Sequence, residues 1–418
     1  MLDVAQNIQT AMDLQKQGKF AEAEALYIQI LQSDSNNVPA LINLGLIQQG
    51  QGKLDEATQY YKYAFSLEPQ NVSLVYLLAK ITQEINQLDE SIYYWQNLTQ
   101  LKPAGALEYY GNIGNCFVQQ GKFAEGLQYF RKALDIEPKS FAAYQAIGNL
   151  FIRENKLLEA KNAFLEALKI NPNYYAAKVW LTLVEKLMKG DNLISFTYQG
   201  IPFKFEITGK NLAVDIANVS GGFYEITELE FIRDNLTNKN ITVVDAGANS
   251  GNHTVYFGKV LNVNKVIPIE FHPLMIGQLR KHVLLNQVVN VDLSKLGVAL
   301  GKTRSKAAIV EHPAQDFCLT EVTPVNANHL SSASVVDMYT LDELITEPIG
   351  FLKLDVQGLE IEVLQGAMRI LTTNRPDVFI EVSKENIKGF NQFLASVNYR
   401  ILKYFDHGRF VNFYIRAN

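Results

Sequence analysis

Residues 243–251 read Val-Val-Asp-Ala-Gly-Ala-Asn-Ser-Gly and set the architecture of the C-terminal half. Two apolar β-branched residues and a carboxylate form the end of a buried strand, and Gly247 and Gly251 then open the next helix. Such a turn lets backbone N–H groups come close to a nucleotide-like cofactor. Asn249 fills the middle glycine position, because Asn enters the left-handed region more easily than most side chains. A second run, Val266-Ile-Pro-Ile-Glu270, ends in a carboxylate 23 positions after Gly247 (270 − 247). In a βαβ unit, an acid about 20 residues on is where a ribose diol is held.

Beyond Glu270 the pattern predicts a helix over 274–286, a strand over 291–299, an irregular stretch, and a strand over 351–355. Alternating strands and helices imply a parallel sheet covered on both faces, with ligands beyond the carboxyl ends of its strands. Asp245, Glu270, Asp355 and Glu381 each end a predicted strand, which puts four acids on one rim. Lys353 and Asp355 are two apart on one strand and so face the same side. A lysine beside acids favours their charged forms, which makes Asp355, Lys353 and Glu381 the candidate catalytic groups. For Lys353 the competing reading is an ion-pair network that ties strands together.

Upstream, Ile194-Ser-Phe-Thr-Tyr and Phe203-Lys-Phe-Glu-Ile flank Gln199-Gly200 and predict a hairpin. Gly221-Gly-Phe-Tyr224-Glu225 leads into an amphipathic helix over 226–234. Tyr224 and Glu225 are candidates for cofactor contact, against core packing of the ring and helix capping by the acid. Glu360, in the first turn of the next predicted helix, also relieves the macrodipole. His272 and His407 are candidate bases, with His253 and His312 behind them, although a loop histidine is more often solvated. No metal-ligand spacing is evident, so no metal is assigned.

A nicotinamide site requires G-x-G-x-x-G, and no glycine stands three places after Asn249. The spacing instead resembles the E/D-x-G-x-G-x-G loop of class I S-adenosylmethionine-dependent methyltransferases. Thr340-Leu-Asp-Glu-Leu and the run from Phe351-Leu-Lys-Leu-Asp-Val-Gln-Gly-Leu-Glu to Ala367 resemble the FkbM branch of that class, over about residues 195–418. The branch commonly has D-x-E-G-x-E, and here Gln357 replaces the first Glu, which puts a catalytic or metal role for that position in doubt.

The resemblance implies a Rossmann-like domain that binds S-adenosylmethionine and methylates a hydroxyl of a sugar, a glycan or another secondary metabolite. It places Asp245, Gly247, Asn249, Gly251 and Asn252 on the amino-acid and ribose side of the cofactor. Glu270 takes the ribose hydroxyls, Phe271 packs on adenine, and the Tyr224–Glu225 segment lies over the cofactor.

The first half is periodic. Gly18, Gly52, Asn86, Gly121 and Asn155 are spaced by 34, 34, 35 and 34 residues, each at the turn of a helix–turn–helix pattern. Seven before the last four turns stand the small residues Gly45, Ala79, Gly114 and Gly148. Nine after each turn stand Tyr27, Tyr61, Trp95, Phe130 and Phe164, expected to fill the space between neighbouring pairs. Pro69, Pro103, Pro138 and Pro172 stop the second helices, and the first repeat has Ser35 there. Residues 4–174 thus resemble tetratricopeptide (TPR) repeats. The following segment, 175–188, is expected to cap the last apolar face.

The expected organisation is an all-α TPR solenoid of five repeats plus a capping helix over 1–188, followed by an α/β methyltransferase domain over 189–418. The solenoid is expected to recruit a protein partner or the acceptor. Its rival roles are a spacer or a dimerisation arm, which leaves a homo-oligomer open. Two further rivals are a non-catalytic scaffold and a methyltransferase acting on protein. A formal charge of −5 argues against a broad nucleic-acid surface. The two cysteines, Cys116 and Cys318, lie 202 positions apart, which suits a reducing compartment. No run of 18 apolar residues and no leader pattern occurs, so a cytoplasmic protein without a membrane span is expected.

Overall fold

A computed structural model describes residues 4–236, 238–310, 321–324, 335–408 and 410–418; His312, Cys318 and Arg409 lie outside them. The chain divides into two compact units, Met1–Ala146 with Lys384–Lys388, and Ile147–Ser383 with Gly389–Asn418. This division falls within the repeats and not at the linker expected near 189.

The first unit holds helices α1 (Val4–Lys16), α2 (Phe20–Ser33), α3 (Val38–Gly50), α4 (Leu54–Leu67), α5 (Val72–Glu84), α6 (Leu88–Leu101), α7 (Ala106–Gln119) and α8 (Phe123–Ile136). Helix α9 (Phe141–Arg153) crosses the division, and α10 (Leu157–Ile170) and α11 (Tyr175–Lys189) belong to the second unit. All five turn residues have positive φ, from 57° at Asn155 to 77° at Gly18, which only Gly and Asn adopt at low cost. Helices α4, α6, α8 and α10 each end two residues before their proline. Asn37 and Asn71 cap α3 and α5 by accepting from Ala40 N and Leu74 N.

The five large rings are essentially fully buried. Their place refines the expectation: Tyr61, Phe130 and Phe164 fill space within their own helix pairs, against Gly45, Gly114 and Gly148, while Trp95 and Phe164 also stack on Tyr109 and Trp180 of the following helices. A Cβ on Gly114 would come 2.5 Å from the Phe130 ring, and one on Gly148 the same distance from Phe164. Trp95 and Ala79 are both fully buried in one core cluster.

In the second unit, α11 ends at Gly190 in the left-handed region and packs on α12 (Leu212–Val219). Strands β1 (Leu193–Tyr198) and β2 (Ile201–Glu206) form the expected hairpin, with Gln199 and Gly200 both at positive φ. Helix α13 (Ile226–Asn235) precedes β3 (Thr242–Ala246), followed by α14 (Asn252–Lys259), β4 (Lys265–Ile269) and α15 (Pro273–Leu285).

The predicted strand over 291–299 is not formed. Val291 makes a single bridge to Val266, the Asp292 side chain then caps a short turn at Ser294, and Gly297 has φ +92°. What remains is β5 (Ala299–Leu300). It pairs with β8 (Val335–Tyr339), which also pairs with β6 (Ser305–Val310), and β6 pairs with β7 (Glu321–Pro324). The stretch expected to be irregular thus builds a second, four-stranded sheet.

After α16 (Leu341–Leu344) come β9 (Phe351–Leu354), α17 (Glu360–Gln365), β10 (Asp377–Ser383), α18 (Ile387–Val397), β11 (Tyr399–Asp406) and β12 (Phe410–Ala417). The main sheet runs β11-β12-β10-β9-β3-β4, parallel from β10 to β4, with β12 antiparallel to both neighbours. Val243, Val244, Phe351 and Leu352 are fully buried because helices cover both faces of the parallel part. From β3 the chain goes first to β4 on one side and returns later to β9 on the other. That reversal leaves a crevice at the carboxyl ends of β3 and β9.

Candidate active site

The crevice is a cleft of about 1120 Å³, counting its solvent-filled mouth. Gly247, Asn249, Asn252, Glu270, Phe271, Lys353, Asp355 and Glu381 all form part of its wall, as does Tyr224. Val298 and, from the second sheet, Ala299, Leu300 and Val322 close it on another side, a wall the sequence did not announce.

The glycine loop is built differently from its expected form. Gly247 N and Ala248 N both donate to Ile269 O, Asn249 N donates to Glu270 Oε2, Ser250 N to Asn249 Oδ1, and Gly251 N to Ala248 O. Five successive amides are thus spent, three on holding the loop against the end of β4 and two on bonds within the loop. The N–H groups that remain for a ligand are those of the first turn of α14, which no helix can satisfy internally. Gly247 has φ +75°, and a Cβ there would collide with the backbone carbonyl of Asp355. Gly251 has φ +82° and lets Leu279 of α15 close in on α14; it is not in the cleft wall.

Glu270 stands one residue past β4. Its Oε2 accepts from Asn249 N at 2.8 Å and its Oε1 from Phe271 N at 2.9 Å and His272 N at 2.8 Å. Burial raises the carboxyl's pKa, and these three amides work against that. The acid expected to hold a ribose therefore also ties the loop to the strand.

Asp245 corrects the expectation of cofactor contact, for it lies beneath the cleft and not in its wall. It is fully buried, accepts from Thr254 Oγ1 at 2.5 Å, and has its other oxygen 3.8 Å from Lys353 Nζ. Lys353 donates to Gly247 O at 2.9 Å and to Asp355 Oδ2 at 3.2 Å. Burial alone would lower its pKa, but Asp355, Asp245 and Glu225 outweigh it and hold the ammonium charged. A lysine kept as its cation does not take a proton. Its geometric effect is to fasten Gly247 to Asp355 across the switch point.

Asp355 lies just past β9 with its side chain 24% exposed. Gln357, at φ +52°, donates its amide to Asp355 Oδ1 at 2.9 Å and approaches Glu381 Oε1 at 3.5 Å. The residue that departs from the FkbM pattern is thus a neutral donor between two acids. Glu381 does not end its strand as expected: it sits inside β10, opposite Asn412 of β12. Partial burial, then Asp355, Glu225 and Glu360, raise its pKa well above the usual range. Glu360 accepts from Gly358 N, and burial pushes it up to about 7.

Glu225 occupies the cap position of α13 at φ +54° but makes no capping bond. Its side chain, 7% exposed, turns inward to accept from Asn412 Nδ2 at 2.9 Å and lies 3.6 Å from His253 Nε2. It is not in the cleft wall. Burial, then Asp355, push it up to about 7. Tyr224 N donates to Asn252 Oδ1, and the Tyr224 ring lies parallel to that of His253.

Among the histidines the structure keeps His272, raises His253 and demotes His407. His253 and His272 are in the cleft wall. His407 is not; its Nε2 lies 2.7 Å from Glu228 Oε1. Sequence reasoning missed Asn211, which donates to Asn249 Oδ1, and His282, which joins Ser250 O to Glu206 N. Both lie outside any local motif, so no spacing marks them. Among the described residues no group of three or more His, Cys, Asp or Glu is placed to hold a metal ion. No helix of the described residues is long and apolar enough to cross a membrane.

Fold and cleft together define an open α/β domain with a crevice at its switch point, preceded in the chain by helical repeats. Residues 245–401 match the methyltransferase FkbM domain, and residues 8–72, 107–140 and 141–174 match tetratricopeptide repeats. The chain thus carries tetratricopeptide repeats in its first part and a methyltransferase FkbM domain over residues 245–401. No curated protein matches it. Among solved structures, part of the chain is similar to MamA protein, at 24% identity over 40% of this chain and 92% of that one, with a TM-score of 0.37. It is similar to YrrB, described as a TPR protein with an unusual peptide-binding site, at 22% identity over 42% and 90%, TM-score 0.38. A tetratricopeptide repeat protein from Parabacteroides merdae is 22% identical over 45% and 74%, TM-score 0.40.

Proposed function

We propose that residues 189–418 transfer a methyl group from S-adenosylmethionine to a hydroxyl oxygen of a sugar, a glycan or a related polyol. The observation that carries this reading is the glycine-walled crevice at the switch point, with Glu270 and Phe271 at the β4 side and Asp355, Gln357 and Glu381 at the β9 side. The chain fits that cofactor: Gly247 lets the loop pack directly on the Asp355 carbonyl at the head of the crevice, and the first turn of α14 offers amides to a carboxylate. When bound, the cofactor supplies an electrophilic methyl on a positively charged sulfur.

Glu270 would meet the ribose hydroxyls with lone pairs its three amides leave over, and Phe271 would pack on adenine. Gly247, Asn249, Asn252 and Tyr224 would line the amino-acid end. Asp245, Gly251 and Glu225 would act from behind, by holding Thr254, the α14–α15 packing and Asn412. Asp355, Gln357 and Glu381 would orient acceptor hydroxyls. Among the described residues the one lysine of the wall is already engaged, so this rim favours a neutral acceptor over a phosphate or carboxylate. The repeats would bring a protein partner, or the acceptor itself, to the enzyme.

The test is the whole chain with methyl-labelled S-adenosylmethionine and a panel of methyl glycosides, sugar phosphates, amines and peptides. Label on a glycoside hydroxyl is the expected result. Label confined to amines or peptides would overturn the choice of acceptor.

A further inference from the structure

We infer that His253 takes the proton from the acceptor hydroxyl, held for that task by Tyr224, Glu225 and Asn412; this rests on the methyl-transfer reading above. His253 is the second residue of α14, 7% exposed, and forms part of the cleft wall. Its Nε2 lies 3.2 Å from Tyr224 O. A carbonyl only accepts, so Nε2 carries the hydrogen and the neutral ring keeps its lone pair on Nδ1, the nitrogen left for the cleft. The Tyr224 ring, at 6.1 Å and 16°, fixes the plane of the imidazole.

Behind the ring stands a carboxyl group that is itself fixed. Glu225 Oε2 is 3.6 Å from Nε2, and its Oε1 accepts from Asn412 Nδ2 at 2.9 Å. Among the described residues the buried Asn412 Oδ1 has no partner, and Asn412 stands directly across the strands from Glu381. The groups that face this pair are Asp245 from β3, Lys353 and Asp355 from β9, Glu381 from β10, and Glu228 from α13, which His407 engages. Burial, then Lys353, hold His253 down to about 4, so the resting ring is neutral at physiological pH; Asp245 and Asp355 oppose that shift and offset the charge the ring carries only during the transfer.

In the transfer, a lone pair of the acceptor oxygen forms the new O–CH3 bond. The S–CH3 pair stays with sulfur and cancels its charge. The O–H proton passes to Nδ1, and the imidazolium so formed keeps its Nε2–H on Tyr224 O and faces the Glu225 carboxylate. Asp355 and Gln357 orient the acceptor, and Glu225 is a positioning residue.

Two measurements on the whole chain decide this. With ¹⁵N-labelled histidine, NMR of wild type against His253→Gln assigns the ring: the expectation is the Nε2–H tautomer, unprotonated from pH 5.5 to 8, both without ligand and with S-adenosylmethionine. An Nδ1–H tautomer, or protonation above pH 6, overturns the inference whether or not an acceptor has been found. In the labelled-methyl assay, His253→Gln is expected to bind S-adenosylmethionine within about threefold of wild type and to lose about 100-fold or more in kcat. Glu225→Gln is expected to lower kcat with little change in KM and to abolish the rising pH limb near 7, with partial rescue by Glu225→Asp. A His253→Gln chain that turns over like wild type overturns the inference and leaves the methyl-transfer reading standing. A wild-type chain that does not bind S-adenosylmethionine overturns that reading first.

Discussion

Glycine does opposite work in the repeats and in the cleft. Gly114 gives its Cβ space to the edge of the Phe130 ring, a side chain that can shift by a few tenths of an ångström. Gly247 gives it to the carbonyl of Asp355, backbone held by a strand on each side of it in the sheet. The first kind of contact tolerates adjustment and recurs along the array, as at Gly148 and Phe164. The second tolerates none, because the same few residues set both the loop and the wall of the cleft.

Substitutions in the two regions separate these behaviours. Gly247→Ala is expected to have the largest effect: S-adenosylmethionine binding, followed by calorimetry, should fall at least about 100-fold, since the strained φ and the collision displace Asp355 together with the loop. Binding within threefold of wild type would show that the loop adjusts as the repeats do. Trp95→Ala should cost about 3–5 kcal/mol of stability in the first unit, seen in denaturant melts, with cofactor affinity unchanged. Glu270→Gln keeps shape but loses the charge that three amides share, and should weaken binding by about 1.5–3 kcal/mol. An unchanged affinity would make Glu270 a loop brace alone.

Acid titration sharpens the contrast further. Glu225 and Glu360 are each pushed up to about 7 in the folded chain. Between their unfolded range near 4.5 and 7 the folded state binds the extra protons. The stability these groups contribute is therefore fully present below about 4.5 and is lost as pH rises through about 7. Glu225→Gln should accordingly melt above wild type at pH 8, by a margin that shrinks toward pH 5; a margin constant with pH would remove the titration. The smallest effect is expected from Asn71→Ala, about 1 kcal/mol for a lost helix cap, without consequence for the cleft.

The repeats were legible almost residue by residue, because each turn needs a positive φ and each pair needs one ring against one small residue. The contacts of the rings within their own pairs were not foreseen, since a period gives spacing and not facing. In the second unit the same logic revealed the two strand ends and Gly247, whose constraints are local. It did not reveal what the loop amides bind, because Ile269 and Glu270 answer them from another strand. Asn211, His253 and His282 carry no spacing signal for the same reason: their partners are 29 to 76 positions away. The false strand at 291–299 was apolar enough to suggest pairing, but Asp292 and Gly297 turn the chain aside.

The most direct test is a crystal structure of the whole chain with S-adenosylhomocysteine. The crevice between β3 and β9 should hold it, with the ribose at Glu270, the adenine against Phe271 and the sulfur open toward Asp355 and His253. A crevice filled by the protein's own side chains, or a ligand bound anywhere else, would contradict the assignment.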